Sequence, residues 1–220
     1  MPPAVAVAES FGDIPGARLF PEEEAVVARA VDKRRREFTT ARACARTALG
    51  ALGLPETPIG RGERGAPGWP PGVVGSITHC TGYRAAVVAR DDDVVTIGVD
   101  AEPNEPIPPD VLRHVALDTE RAWVGELLAA DPGVSWDRLL FSAKESVYKA
   151  WFPLTRRWLD FSQASLTVDA AARTFSARLL VTATGPDGRP LTGFTGRWLA
   201  RDGLVLTVIT VPRKQADGAG

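Results

Sequence analysis

Over residues 21–52 apolar positions recur with a helical period. At about 100° per residue, Val27, Val31, Phe38, Ala45 and Leu49 fall within roughly 20° of one line, and Leu52 lies beside it. Phe20-Pro21-Glu22-Glu23-Glu24 puts a proline and three acids where a helix begins, and Gly53 closes the run. The pattern predicts one long helix whose stripe faces a core. Over 54–75 it dissolves into Pro and Gly, which predicts a loop, and Trp69 within that loop asks for burial. Short apolar runs rich in β-formers at 73–77, 85–89 and 94–99, joined by Gly82-Tyr83 and Asp91-Asp92-Asp93, then predict an antiparallel meander.

A proline-rich bend at 103–109 leads into helical patterning over 111–130 and 136–151, with Pro153 expected to stop the second helix. The last third predicts strands at 164–168, 174–182, 192–199 and 204–211, the final two joined by Arg201-Asp202-Gly203. A helix followed by a meander thus occurs twice, without a legible sequence repeat. The expectation is an α+β fold of two pseudo-symmetric subdomains, each a long helix packed on a small antiparallel sheet. The N-terminal subdomain spans 1–102, the C-terminal one 103–212, and 213–220 forms a disordered tail.

With 220 residues, 45% of them hydrophobic, the chain is long enough for a substantial core. A net charge of −1 gives no global attraction to nucleic acid or membrane, so anion binding must come from local clusters of Lys and Arg. Cys44 and Cys80 form neither a disulfide framework nor a spaced metal motif. The start of the chain lacks the basic region and apolar length of a signal peptide, and no window approaches a membrane span. These features predict a cytoplasmic protein.

The candidate chemistry is built on carboxylates. Asp100 and Glu102 stand two apart at the end of a strand and therefore point to one face, and Pro103 ends the ladder and leaves them at its mouth. Such a pair suits Mg²⁺, which takes one or two carboxylates and completes its shell with water and phosphate oxygens; it also suits a solvated strand end. A third carboxylate, Glu145, lies inside the helix over 136–151. Ser142-x-x-Glu145 matches a capping box, but the apolar pattern already begins at Trp136. Glu145 and Lys149 are also spaced as a helical surface pair, with Lys144 beside them.

Basic groups flank these acids along the chain. Of Lys33-Arg34-Arg35-Arg36, only Arg34 lies about 40° from the apolar stripe, and Arg42 lies equally close on its other side. Two arginines bordering a core need partners, which either a structural ion pair or a phosphate would supply. Arg61 and Arg64, on the Gly-rich loop, would add to a phosphate site. Ser76 and His79 end a strand without the G-x-S-x-G elbow of a hydrolase, and His79 suits a phosphate hydrogen bond.

Taken in order, Lys33-Arg34-Arg35-Arg36-Glu37-Phe38 with Arg42, Gly75-Ser76-Ile77-Thr78-His79-Cys80, Ile97-Gly98-Val99-Asp100-Ala101-Glu102 and the segment from Phe141 to Trp151 resemble the Sfp-type 4′-phosphopantetheinyl transferases. The likeness is greatest to the branch of the enterobactin-synthetase component and the actinobacterial carrier-protein activators. The resemblance implies transfer of the phosphopantetheine arm of coenzyme A to a serine of an apo acyl or peptidyl carrier protein, releasing adenosine 3′,5′-bisphosphate. It implies Asp100, Glu102 and Glu145 as Mg²⁺ ligands, with Glu145 or a water it orients as base. Lys149 would neutralise the leaving group, and Lys144 and His79 would hold phosphate oxygens. Arg34, Arg42 and Arg61, with Arg64 and Ser76 beside them, would bind coenzyme A. An apolar docking patch with basic groups is expected within 111–128 and 159–161. The enzyme is expected to act as a monomer without nucleic acid or membrane. The competing readings are a Mg²⁺-dependent nuclease or phosphodiesterase, and a nucleotide- or nucleic-acid-binding module built on the basic cluster.

Overall fold

The structure, a computed structural model, describes residues 4–213. Most of the tail expected over 213–220 lies outside the described residues; Arg213 itself donates its N–H to the Asp93 carbonyl at 2.8 Å. In chain order the elements are β1 (Val5–Phe11), α1 (Pro21–Val27), α2 (Asp32–Ala51), β2 (Gly60–Arg61), β3 (Pro67–Gly68), β4 (Val73–Cys80), β5 (Tyr83–Arg90) and β6 (Val94–Pro103). Then come α3 (Pro109–Val115), α4 (Asp118–Ala130), α5 (Trp136–Thr155), β7 (Ala164–Asp169), β8 (Thr174–Leu179), β9 (Gly193–Arg201) and β10 (Leu204–Pro212). The fold is α+β. Its sheets run β1-β5-β4 and β6-β10-β9-β8-β7, with β2 and β3 as a short separate pair.

Two compact units make up the chain, and neither is contiguous. Among the described residues the first holds 4–77, Arg84–Ile97 and 210–213; the second holds Thr78–Tyr83 and Gly98–Ile209. In the first unit the predicted stripe does its work in α2, where Cys44, Ala45, Ala48 and Leu49 pack with Ile59, Ala86 and Val88. Trp69 covers this core in part and donates its indole N–H to the Gly75 carbonyl at 3.0 Å.

The helix predicted over 21–52 is two helices. Val31 caps α2 in an extended conformation and is 73% exposed, although the wheel put it on the apolar line. Tertiary bonds hold α1 on its own course. Glu23, fully buried, accepts both Nη1 contacts of Arg46 at 3.0 Å, the Ile59 N–H at 2.8 Å and the Phe20 N–H at 2.9 Å. A buried carboxylate must satisfy its oxygens, and this requirement outweighs continuing the helix. The helical stretch at 111–130 likewise divides into α3 and α4, Glu120 accepting the Leu117 N–H at 2.7 Å at the new start.

Two further expectations change. The strands at 73–77, 85–89 and 94–99 do not form one meander, because β6 joins the five-stranded sheet beside β10. Strand β1 completes the smaller sheet, and the sequence reading did not include it. Pro153 lies inside α5 rather than ending it. Near a helix C-terminus a proline removes only one late hydrogen bond, and the turn closes through Arg156, left-handed at φ 55°, whose N–H donates to Phe152 O at 2.8 Å.

In the second unit α5 buries Leu139, Leu140, Ala143, Val147, Ala150 and Trp151, the three-and-four spacing of one helical face. The opposing sheet alternates inward Phe175, Ala177 and Leu179 on β8 with inward Phe194 and Trp198 on β9. Two features fix the position of α5. A Cβ at Gly98 would stand 2.0 Å from the Ser146 carbonyl oxygen, so only glycine lets the helix lie this close to β6. Around the Thr207 hydroxyl, Ser142 Oγ lies at 2.9 Å and Ser146 Oγ at 2.7 Å, all three side chains buried.

Candidate metal and phosphate site

The carboxylates come from one strand end and one helix of the second unit. Asp100 on β6 is 5% exposed. Its Oδ1 accepts Lys149 Nζ at 2.7 Å, and more weakly the Thr78 hydroxyl at 3.4 Å, while its Oδ2 is buried without a hydrogen-bond partner. Thr78 in turn accepts the Ala101 N–H at 2.9 Å and so fixes the strand end. Lys149 also donates to the Val99 carbonyl at 3.0 Å, so its ammonium bridges strand and helix.

Glu102 and Glu145 both feel Asp100. Burial, then the Asp100 charge, pushes the Glu102 carboxyl up to about 6 against the opposing pull of Arg138 and Lys149. The same two causes raise Glu145, with Lys149 again opposing. Asp100, with its unsatisfied buried oxygen, and the two carboxylates its charge acts on offer oxygen donors of the kind a hard divalent cation takes. Among the described residues no three His, Cys, Asp or Glu side chains stand close enough together to hold an ion as they are. The chain's own cations occupy part of the set: Lys149 on Asp100, and Arg138 on Glu102 Oε2 at 3.1 Å.

Lys144, expected to hold phosphate oxygens, is buried. Its Nζ lies 2.7 Å from Glu120 Oε2 and 2.8 Å from the Phe161 carbonyl oxygen. Burial lowers its pKa, and Glu120, through its hydrogen bond and charge, opposes the shift. Glu120 is itself fully buried and accepts the Leu166 N–H at 2.7 Å. His79, at the end of β4, is half-buried.

The arginines belong to the first unit. Arg42, 5% exposed, donates Nε to Ile59 O at 2.7 Å, and its guanidinium lies 4.0 Å from the Phe38 ring centroid. Burial depresses its pKa to about 10; Glu23 opposes that shift, and the charges of Arg34, Arg46 and Arg61 add to it. These arginines therefore share one electrostatic neighbourhood. Arg34, half in solvent, lies 3.8 Å from Glu37. Arg61 is exposed on β2, its guanidinium about 3.3 Å from where a Cβ on Gly65 would stand. Arg64, beside it, is exposed with φ 51°, and Ser76 is buried on β4.

Sequence reasoning missed Thr78, Glu120 and Arg138. The alternation that pairs Ser76 with Thr78 on one face of β4 was a legible signal for the first. Nothing local marks Arg138, whose partner Glu102 lies 36 residues away; Glu120 carries a local bond to the Leu117 N–H, but its ion-pair partner Lys144 lies 24 residues on.

Two family descriptions match the chain: the 4′-phosphopantetheinyl transferase N-terminal domain over residues 22–89 and the 4′-phosphopantetheinyl transferase superfamily over residues 96–196. Over 99% of its length the chain is 56% identical to 4′-phosphopantetheinyl transferase Svp of Streptomyces mobaraensis, covering 93% of that protein. It is 49% identical to 4′-phosphopantetheinyl transferase PptT of Mycobacterium tuberculosis, over 94% of this chain and 92% of that one. Enterobactin synthase component D of Salmonella typhimurium is 32% identical over 81% of this chain and 72% of that protein.

Proposed function

Because the chain belongs to the 4′-phosphopantetheinyl transferase superfamily, and so moves the phosphopantetheine arm of coenzyme A onto a carrier-protein serine, we propose that Asp100, Glu102 and Glu145 hold Mg²⁺ for that reaction. Family membership decides against the nuclease and nucleotide-module readings. The observation that carries the metal assignment is the buried, partnerless Oδ2 of Asp100 beside two carboxylates whose protons its charge helps to retain. Bound there, Mg²⁺ would neutralise pyrophosphate oxygens.

The chain's own groups supply the remainder. Glu145, directly or through a water it orients, takes the proton of the carrier serine; its raised pKa makes it a stronger base than an ordinary carboxylate. The serine oxygen forms a bond to the pantetheine-side phosphorus as that atom's bond to the bridging pyrophosphate oxygen breaks, and adenosine 3′,5′-bisphosphate leaves. Lys149, whose ammonium already bridges Val99 and Asp100, neutralises charge developing on the leaving phosphate. Arg34, Arg42, Arg61 and Arg64, with Ser76 and His79, bind the phosphates of coenzyme A. Burial depresses Arg42 first, and the repulsion of Arg34, Arg46 and Arg61 adds to it; an anion there relieves that repulsion, which supports this reading. Lys144, tied to Glu120, fixes the helix turn that carries Glu145.

The carrier docks, in this reading, on an apolar surface of the second unit. Phe161 lies with its ring 6.0 Å from Phe141 and 6.1 Å from His114, and Val111 and Trp158 are exposed nearby in sequence.

Incubation with coenzyme A, Mg²⁺ and an apo carrier protein is expected to raise the carrier's mass by one phosphopantetheine. Asp100→Ala and Glu145→Ala should abolish that shift while leaving thermal unfolding cooperative. Full transfer by either variant would remove these carboxylates from the mechanism.

A further inference from the structure

Arg138, in the first turn of α5, distributes its guanidinium over three acceptors. Nε donates to Glu105 O at 3.0 Å, Nη2 to Pro106 O at 3.2 Å and Nη1 to Glu102 Oε2 at 3.1 Å. Two of these acceptors are backbone carbonyls, so the guanidinium is anchored without help from Glu102. Other bonds tie the same bend to the same helix end. The Ile107 N–H donates to Asp137 Oδ2 at 3.0 Å, the Ser135 N–H to Asn104 Oδ1 at 2.8 Å, and Asn104 Nδ2 to Gly133 O at 2.9 Å.

An exposed ion pair is worth little because two long side chains must be ordered to make it. Here Arg138 and Glu102 are only 19% and 21% exposed, and the carbonyls have already ordered the arginine. Its planar fork fixes a direction as well as a charge, which a lysine ammonium at the same place would not do. The grip falls on one carboxylate oxygen, Oε2, and leaves Oε1 uncommitted to it. Glu102 lies near the end of β6, whereas Glu145 and Lys149 stand two and three turns further along α5. Arg138 therefore ties the strand carboxylate to the helix that carries the other functional groups.

We propose that Arg138 is a positioning residue for the divalent cation, orienting Glu102 so that a single oxygen serves as ligand; this rests on the reading of Asp100, Glu102 and Glu145 as the metal site. Partners that orient a metal ligand commonly change affinity by about 10–100-fold when they are replaced. The arginine acts through Glu102 and touches neither substrate nor ion.

The test measures Mn²⁺ binding to the purified full chain by electron paramagnetic resonance, with thermal melting run alongside. Wild type should bind Mn²⁺ and Asp100→Asn should lose it; failure of either result overturns the metal reading itself, and this inference with it. Given that binding, Arg138→Lys and Arg138→Gln should each weaken Mn²⁺ affinity about tenfold or more, with the Michaelis constant for coenzyme A unchanged at saturating metal. The effect of Arg138→Lys should vanish in a Glu102→Gln background, which separates orientation of Glu102 from a general loss of stability. Unchanged or tighter Mn²⁺ binding in both arginine variants, or an undiminished effect in the Glu102→Gln background, would overturn the assignment.

Discussion

Glu102 carries a pH signature that can be measured without substrate. Its folded-state pKa of about 6 lies above the ordinary 4.5, so folding favours the protonated form and the chain takes up a proton as it folds between those values. Stability from this group therefore rises as pH falls through about 6 and is complete near 4.5. Glu102→Gln, in a chelator-containing buffer, should raise the melting temperature at pH 7.5 and have little effect at pH 5. The buried Lys144–Glu120 pair makes the opposite kind of prediction. Glu120→Gln strands a buried ammonium and should cost about 3–5 kcal/mol in urea unfolding, and adding Lys144→Met should recover part of that loss. At this scale the sequence marked Asp100, Glu102, Glu145, Lys144 and Lys149 by residue type and spacing. It did not reveal that Lys149 reaches across to Asp100 instead of serving as a helical neighbour of Glu145, because an i,i+4 spacing looks the same whichever acceptor the ammonium finds.

Among the elements, α5 is the one on which the site depends, and its position follows from a glycine and three hydroxyls. Gly98→Ala would drive a methyl into the Ser146 carbonyl and should destabilise the fold by about 1–3 kcal/mol or more, with transfer activity falling further as Glu145 moves. Thr207→Val keeps the shape but strands the Ser142 hydroxyl, while Ser146 keeps its bond to the Thr207 carbonyl at 3.1 Å, and about 1–3 kcal/mol is expected. Denaturant unfolding of both variants checks these figures. Strand and helix types were legible from periodicity over most of the chain, α5 beginning at Trp136 as its apolar pattern implies. The breaks at Val31 and between α3 and α4 were not, because each depends on a buried glutamate, Glu23 or Glu120, whose acceptors are filled from distant segments. A helical wheel assigns faces but cannot tell that a helix is interrupted.

For the whole molecule the consequence of interleaving is direct: the second compact unit includes Thr78–Tyr83, and among the described residues the first includes 210–213. A fragment of residues 103–213 lacks Thr78, Asp100 and Glu102, and neither it nor a fragment of residues 1–102 is expected to unfold cooperatively on its own by circular dichroism. Arg42→Ala in the full chain should raise the Michaelis constant for coenzyme A several-fold and leave that for the carrier unchanged, whereas Phe161→Ser should do the reverse. By itself the sequence determined the α+β class, which depends on local period, and its motifs, each carried within a single element, bore the resemblance that implied the family and the reaction. Only the tertiary structure decided how β6 leaves its sequence neighbours for the larger sheet, which cation meets which carboxylate, and that Arg138 holds Glu102. Those are pairings between residues far apart in the chain, and their energies depend on burial and distance, which no local pattern of amino acids contains.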